Sequence, residues 1–218
     1  MNSKLQNDIR QFIELYPIFS LLKTTDEKAE LEGVIDIVDT DGNYWDSYDI
    51  KIVVLIRKYP NIIPQVYESS KKIIRENDWH ISADGECCLD ITHNLILLQN
   101  KGVDLISFYQ KKIYPFFANH QYKLRTGNYA NGDYPHLVDG IKYFYENEIG
   151  LFDFELIIKI LSSILKNRLP EKLAICICGQ NKYKHCHLTI VTKLIRFGKQ
   201  RLSEDLILFQ NLSRLKIR

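Results

Sequence analysis

Residues 30–57 constrain the fold more than any other stretch of this chain. Glu30 to Asp39 places Leu31, Gly33, Ile35 and Ile37 at every second position. Tyr44 to Arg57 is rich in β-branched and aromatic residues and includes Ile52-Val53-Val54-Leu55-Ile56 near its end. A period of two belongs to strands, because successive side chains point to opposite faces. The linker Asp39-Thr40-Asp41-Gly42-Asn43 is turn chemistry, so the two runs predict an antiparallel hairpin. Before it, Leu5, Ile9, Phe12, Ile13, Tyr16 and Phe19 recur at helical spacing within 4–22, with Pro17 ending or bending the helix. After it come a short strand around Gln65-Val66-Tyr67, a polar irregular stretch from Asn77 to Asn94, and helical patterns at 103–118, 135–147 and 154–168. A helix, then antiparallel strands, then helices is an α+β order.

Charge and cysteine divide the chain in two. Residues 1–154 hold 16 basic and 23 acidic side chains, a balance of −7, whereas residues 155–218 hold 13 and 4, a balance of +9. Of five cysteines, Cys87 and Cys88 lie in the first part and Cys176, Cys178 and Cys186 in the second. The count is odd and the spacings are tight, so a disulfide framework is not expected and a reducing, cytoplasmic setting is. No signal peptide is visible, and the apolar stretch Leu151 to Leu165 is interrupted by Asp153, Glu155 and Lys159, so no membrane span is expected. We place the domains at 1–150 and 151–218, with Pro170 after a helical run marking a further break.

The tract Trp79-His80-Ile81-Ser82-Ala83-Asp84-Gly85-Glu86-Cys87-Cys88-Leu89-Asp90 puts a thiol in a polar, glycine-containing loop. A thiol so placed can be reached by another protein and can ionise to the nucleophilic thiolate. His80, eight residues earlier, can donate a hydrogen bond or shuttle a proton. On residue types alone a Cys/His pairing is a weak signal, because most cysteines are small buried hydrophobes.

These residues resemble the ubiquitin-conjugating enzymes. That family shows a helix, an antiparallel sheet, a Tyr-Pro-x-x-x-Pro segment and a loop ending in Gly-x-x-Cys-Leu-Asp. Here Tyr59-Pro60-Asn61-Ile62-Ile63-Pro64 and Gly85-Glu86-Cys87-Cys88-Leu89-Asp90 stand in that order, within residues 1–150. The resemblance implies that Cys88 is the catalytic residue and accepts the modifier as a thioester. The family's His-Pro-Asn tripeptide is absent; the position of its Asn falls on His80. Divergent bacterial members often carry a histidine in this region. An imidazole can donate to the developing oxyanion and can also take a proton from the incoming amine. The plain alternative is that His80 packs beside Trp79. Cys87 precedes Cys88, so in an extended segment its side chain points into the core. Asp90 is expected to anchor the loop. The resemblance further implies a bacterial antiphage-defence setting. The expected partners are an activating enzyme, a ubiquitin-like protein or nucleotidyltransferase C-terminus as the carried group, and a target-protein amine as acceptor. The alternative is a catalytically inactive adaptor on the same fold, docking partners through its tail.

The second constellation is Cys176-Ile177-Cys178-Gly179-Gln180-Asn181-Lys182-Tyr183-Lys184-His185-Cys186-His187. Three thiols and two imidazoles within twelve residues suit tetrahedral zinc. The pattern resembles the SEC-C motif, a short zinc-binding appendage of many bacterial proteins. That resemblance implies Cys176, Cys178, Cys186 and His187 as ligands of a structural zinc. The interval from Cys178 to Cys186 is one residue shorter than in the motif, which leaves His185 as a rival fourth ligand. The tail from Leu188 to Arg218 is basic and amphipathic; we read it as a helical cap with a solvated basic face rather than a nucleic-acid surface.

Overall fold

The computed structural model describes residues 3–130 and 137–216. The chain divides into two compact units, Met1–Tyr134 and Pro135–Arg218.

The first unit is α+β. Helix α1 (Ser3–Leu15) buries Leu5, Ile9 and Phe12 along one face. Four strands follow, β1 (Ser20–Thr24), β2 (Lys28–Val38), β3 (Tyr44–Leu55) and β4 (Gln65–Glu68), in an antiparallel meander of order β1-β2-β3-β4. The hairpin forms as its alternation dictates: β2 buries Leu31, Ile35 and Ile37, and β3 answers with Tyr48, Ile50, Ile52 and Val54. Its turn is held by Asp39, whose carboxylate accepts from the backbone N–H groups of Asp41 and Asn43. At Gly33 a Cβ would lie 2.4 Å from the Phe19 ring, so the missing side chain is what lets Phe19 lie against β2.

The helix ends where Pro17 was expected to end or bend it: it stops at Leu15, and the rest of the run 4–22 lies outside it, with Ser20–Thr24 forming β1. Leu21 and Leu22 are exposed on this edge strand. Pro17 has no N–H to offer a helical ladder, and the chain turns at that point.

Helix α2 (Thr92–Lys101) follows the polar loop, and a long helical stretch follows that. It comprises α3 (Leu105–Phe108), a π-turn (Tyr109–Ile113) and α4 (Tyr114–Thr126). Phe108, Ile113 and Phe117 from this stretch join the core built on α1 and the sheet. Tyr59 lies in the same core, and its hydroxyl donates to the buried carboxylate of Asp8 at 2.6 Å.

The second unit is helical: α5 (Leu137–Tyr143) running into a π-turn (Phe144–Ile149), α6 (Phe154–Leu165), α7 (Leu188–Ile195) and α8 (Gly198–Lys216). Asp153 caps α6 by accepting from the Glu155 N–H at 2.9 Å. Residues 137–149, which the sequence reading groups with the first domain, pack with the helices of the second. Phe144 meets Phe197 edge-on at 5.5 Å, and Tyr145 meets Phe209 at 4.8 Å and donates to the buried Asp205 carboxylate at 2.9 Å. Among the described residues no helix is long and apolar enough to cross a membrane.

Candidate active site and metal centre

The loop that carries Cys88 is tied to the sheet from below and to itself from above. Glu68 at the end of β4 donates its N–H to the Gly85 carbonyl at 2.9 Å, and the Cys87 N–H donates to Val66 at 2.8 Å. On the other side Ile81 forms an antiparallel bridge with Cys87, and the Cys88 N–H donates to the His80 carbonyl at 2.8 Å. Between these arms Ser82 closes the turn: its hydroxyl accepts from the Glu86 N–H at 2.8 Å, and its carbonyl accepts from the Gly85 N–H at 3.0 Å. Gly85 takes φ +91°, and a Cβ there would sit 2.8 Å from the Glu68 carbonyl, so only glycine fits this turn.

The strand-like alternation sorts the two adjacent thiols. Ile81 and Cys87 face inward and are buried, whereas Cys88 is exposed. Desolvation pushes the Cys87 thiol far up, out of reach of ionisation near neutrality. The Cys88 thiol is also held above its ordinary value, first by desolvation of its sulfur against the loop and then by the Asp90 carboxylate. Its reactive thiolate is therefore a minor species near neutral pH.

Asp90 is an anchor. Its carboxylate accepts from the Ile91 N–H at 2.7 Å and from the Asn94 amide at 3.0 Å, and it forms an ion pair with Lys112 while only 5 % exposed. Lys112 lies in the π-turn, so this pair ties the end of the loop to the long helix.

His80 lies directly across the bridge from Cys88 and has φ +54°, a left-handed backbone uncommon outside glycine. Its ring meets that of Tyr129 at 5.6 Å. The preceding residues are clamped from α4 and the segment after it. Lys123 and Tyr129 both donate to the Asp78 carbonyl, at 3.0 and 3.2 Å. The Lys123 ammonium lies 4.5 Å from the Trp79 ring centroid and 4.2 Å from that of Tyr129. Trp79 rests in turn on the buried His120, whose Nδ1 is 2.6 Å from the Tyr48 hydroxyl. Desolvation lowers the His120 pKa to about 4, so its imidazole is neutral at physiological pH. Sequence reasoning placed Cys88 and His80 together but missed Lys123, Tyr129 and His120. They lie about forty residues downstream of the loop, and no local pattern links them to it.

In the second unit the four expected ligands converge. The ligand atoms of Cys176, Cys178, Cys186 and His187 all lie within 4.8 Å of one another, a group that can hold a metal ion. Cys176 Sγ and Cys186 Sγ are 3.3 and 3.1 Å from His187 Nδ1, and Cys178 Sγ is 3.5 Å from Cys186 Sγ. These separations approach the edges of a tetrahedron, which run about 3.4–3.8 Å for bonds of about 2.0–2.3 Å to nitrogen and sulfur. A turn builds the pocket: the Gly179 N–H donates to Cys176 at 2.8 Å, the Cys176 N–H donates to Asn181 at 2.8 Å, and Gly179 has φ +81°. An isolated bridge between Ile175 and Lys182 closes it. His185 lies in the 3-10 turn Tyr183–His185, is exposed, and is outside the cluster. The donor set therefore resolves to three thiols and His187. The thiols titrate unequally: hydrogen bonding from the Gln180 backbone holds Cys178 down, whereas desolvation and the neighbouring thiols hold Cys186 up.

Compared with family models, curated proteins and solved structures, the chain matches none.

Proposed function

We propose that this chain is a ubiquitin-conjugating-enzyme-like acyl transferase that carries a ubiquitin-like modifier, or a partner protein's C-terminus, as a thioester on Cys88. The observation that carries the reading is the exposed Cys88 in the tract Gly85-Glu86-Cys87-Cys88-Leu89-Asp90, tied to the sheet and bonded through its backbone N–H to the His80 carbonyl. The Cys88 thiolate attacks the carbonyl of a thioester held by an activating enzyme; a new C–S bond forms, and the donor's C–S bond breaks with release of its thiolate. An amine then attacks the Cys88 thioester, a C–N bond forms, and the Cys88 sulfur leaves. His80 donates to the oxyanion or accepts the proton that the amine loses. A raised thiol pKa is tolerable in this chemistry, because the acyl donor arrives already activated. What the site must supply is position.

Zinc is the metal best matched to three thiolates and one imidazole. Cys176, Cys178, Cys186 and His187 would hold it with four protein ligands, leaving no open position, so its role is structural. The bacterial antiphage setting, with a ubiquitin-like protein or nucleotidyltransferase C-terminus as the carried group, belongs to the same proposal.

The raised Cys88 pKa and the missing His-Pro-Asn tripeptide favour a second reading, an adaptor of the same fold without catalysis. Incubation with a cognate activating enzyme, its modifier and ATP separates the two. The proposal expects a mass adduct that is lost on treatment with a thiol reductant and absent in Cys88→Ala. No adduct with an active activating enzyme would overturn the acyl-transfer reading.

A further inference from the structure

His80 is held in an unusual state by groups that are not part of the Cys88 loop. A left-handed backbone at a non-glycine residue persists only when its surroundings over-determine it. Those surroundings include Lys123 and Tyr129. Lys123, in the last turn of α4, has its ammonium between the Trp79 and Tyr129 rings and donates to the Asp78 carbonyl. Tyr129 donates to that same carbonyl and lays its ring against His80. Asp78, Trp79 and His80 are thus each touched by this pair. A lysine near a helix C-terminus has an ordinary explanation, since it complements the helix dipole from the solvated surface. That explanation does not account for an ammonium enclosed by two rings and bonded to another segment's carbonyl. Among the described residues no carboxylate forms an ion pair with Lys123. Its charge is met by π-faces and a carbonyl dipole instead.

We propose that Lys123 is a positioning residue, which with Tyr129 pins Asp78-Trp79-His80 so that His80 stands opposite Cys88 for the aminolysis step. This inference rests on the acyl-transfer reading above. The link to Cys88 is direct, because the His80 carbonyl accepts from the Cys88 N–H at 2.8 Å. A shift of His80 therefore also frees the nucleophile's own backbone. Misplacement of a catalytic group by about 1 Å suffices to slow a reaction markedly.

Two readouts test this, the first without any chemistry. Hydrogen exchange of the Cys88 amide should run about tenfold faster in Lys123→Met, which keeps the length but loses the cation, and should stay near wild type in Lys123→Arg, which keeps a cation for the rings. Unchanged exchange in Lys123→Met overturns the pin. For the second, a dye-labelled peptide ending in Gly-Gly and carrying a mercaptoethanesulfonate thioester loads Cys88 by thiol exchange, releasing mercaptoethanesulfonate. Single-turnover discharge to excess free lysine is then followed. Loading should be alike in wild type and Lys123→Met, whereas discharge should slow about tenfold in Lys123→Met and recover in Lys123→Arg. In a His80→Ala background Lys123→Met should add no further loss, as expected for a residue acting through His80. Wild-type discharge by Lys123→Met, or an additive loss in the double variant, overturns the assignment. Failure of wild type to load, or equal loading of Cys88→Ala, overturns the acyl-transfer reading instead, and amide exchange then judges the pin alone.

Discussion

The two cysteine-bearing loops share their construction and differ in their result. Each turns on a glycine with positive φ, Gly85 at +91° and Gly179 at +81°. Each is closed by an isolated antiparallel bridge, Ile81 to Cys87 in one and Ile175 to Lys182 in the other. In the first, adjacent cysteines on an extended segment diverge, so Cys87 is buried and Cys88 is exposed alone. In the second, Cys-x-Cys on a tight turn converges with Cys186 and His187 on one point. Spacing against local backbone geometry thus decides whether a thiol stands apart from other thiols or is gathered with them into a group that can hold a metal ion. The same residue type is placed in two settings within one chain, one exposed and one gathered with a histidine, because its neighbours are spaced differently.

The contrast can be broken most severely at the convergent loop. Cys176→Ser should abolish binding of about one zinc per chain, since removing one of four ligands forfeits much of an affinity worth about 10–16 kcal/mol in small zinc domains. Metal analysis and a metal-dependent melting temperature check this; full zinc content in the variant would dissolve the cluster. At the divergent loop, Lys112→Met leaves the buried Asp90 carboxylate without its cation and should cost about 3 kcal/mol in urea unfolding. Zinc content should not change.

Gly85→Ala should cost about 2–3 kcal/mol, because it combines a strained φ with a Cβ pressed on the Glu68 carbonyl. Acid should act through His120. Its folded pKa of about 4 lies below the ordinary imidazole value of 6.5, so the unfolded state takes up the proton first as pH falls. Stability is then lost between pH 6.5 and 4, by up to about 3 kcal/mol, and His120→Gln should flatten that part of the curve. The smallest effect concerns the free thiol. Because the Cys88 pKa is raised, its alkylation by iodoacetamide should climb about tenfold per pH unit from 7 to 8.5. With the proposed zinc bound, Cys176, Cys178 and Cys186 should stay unreactive over that range, and a flat profile at Cys88 would contradict the raised pKa.

The hairpin was legible because two-residue alternation survives in sequence wherever one sheet face is buried: Leu31, Ile35 and Ile37 meet Tyr48, Ile50 and Ile52 as the pattern requires. The cluster that can hold a metal ion was legible because its residues are local, and the geometry chose His187 over His185. Helix α2 was not legible: its first three residues fall in the stretch read as loop and the rest carry no assignment, since among its ten residues only His93 is buried and its leucines show no clean stripe. Residues 137–149 sit with the second unit because Phe144 and Tyr145 find Phe197 and Phe209 far along the chain. The Lys123 clamp was illegible for the same reason: a lysine on a helix becomes informative only when its rings and carbonyl are brought to it from another segment.

The five cysteines are proposed to divide into one nucleophile, one buried neighbour and three zinc ligands. The most direct test of this division is intact-mass and peptide mapping of the zinc-loaded chain after exposure to the Gly-Gly peptide thioester. The account expects a single adduct, released by reductant and mapped to Cys88, with Cys87, Cys176, Cys178 and Cys186 unmodified. An adduct on any of the three proposed zinc ligands, or none on Cys88, would contradict it.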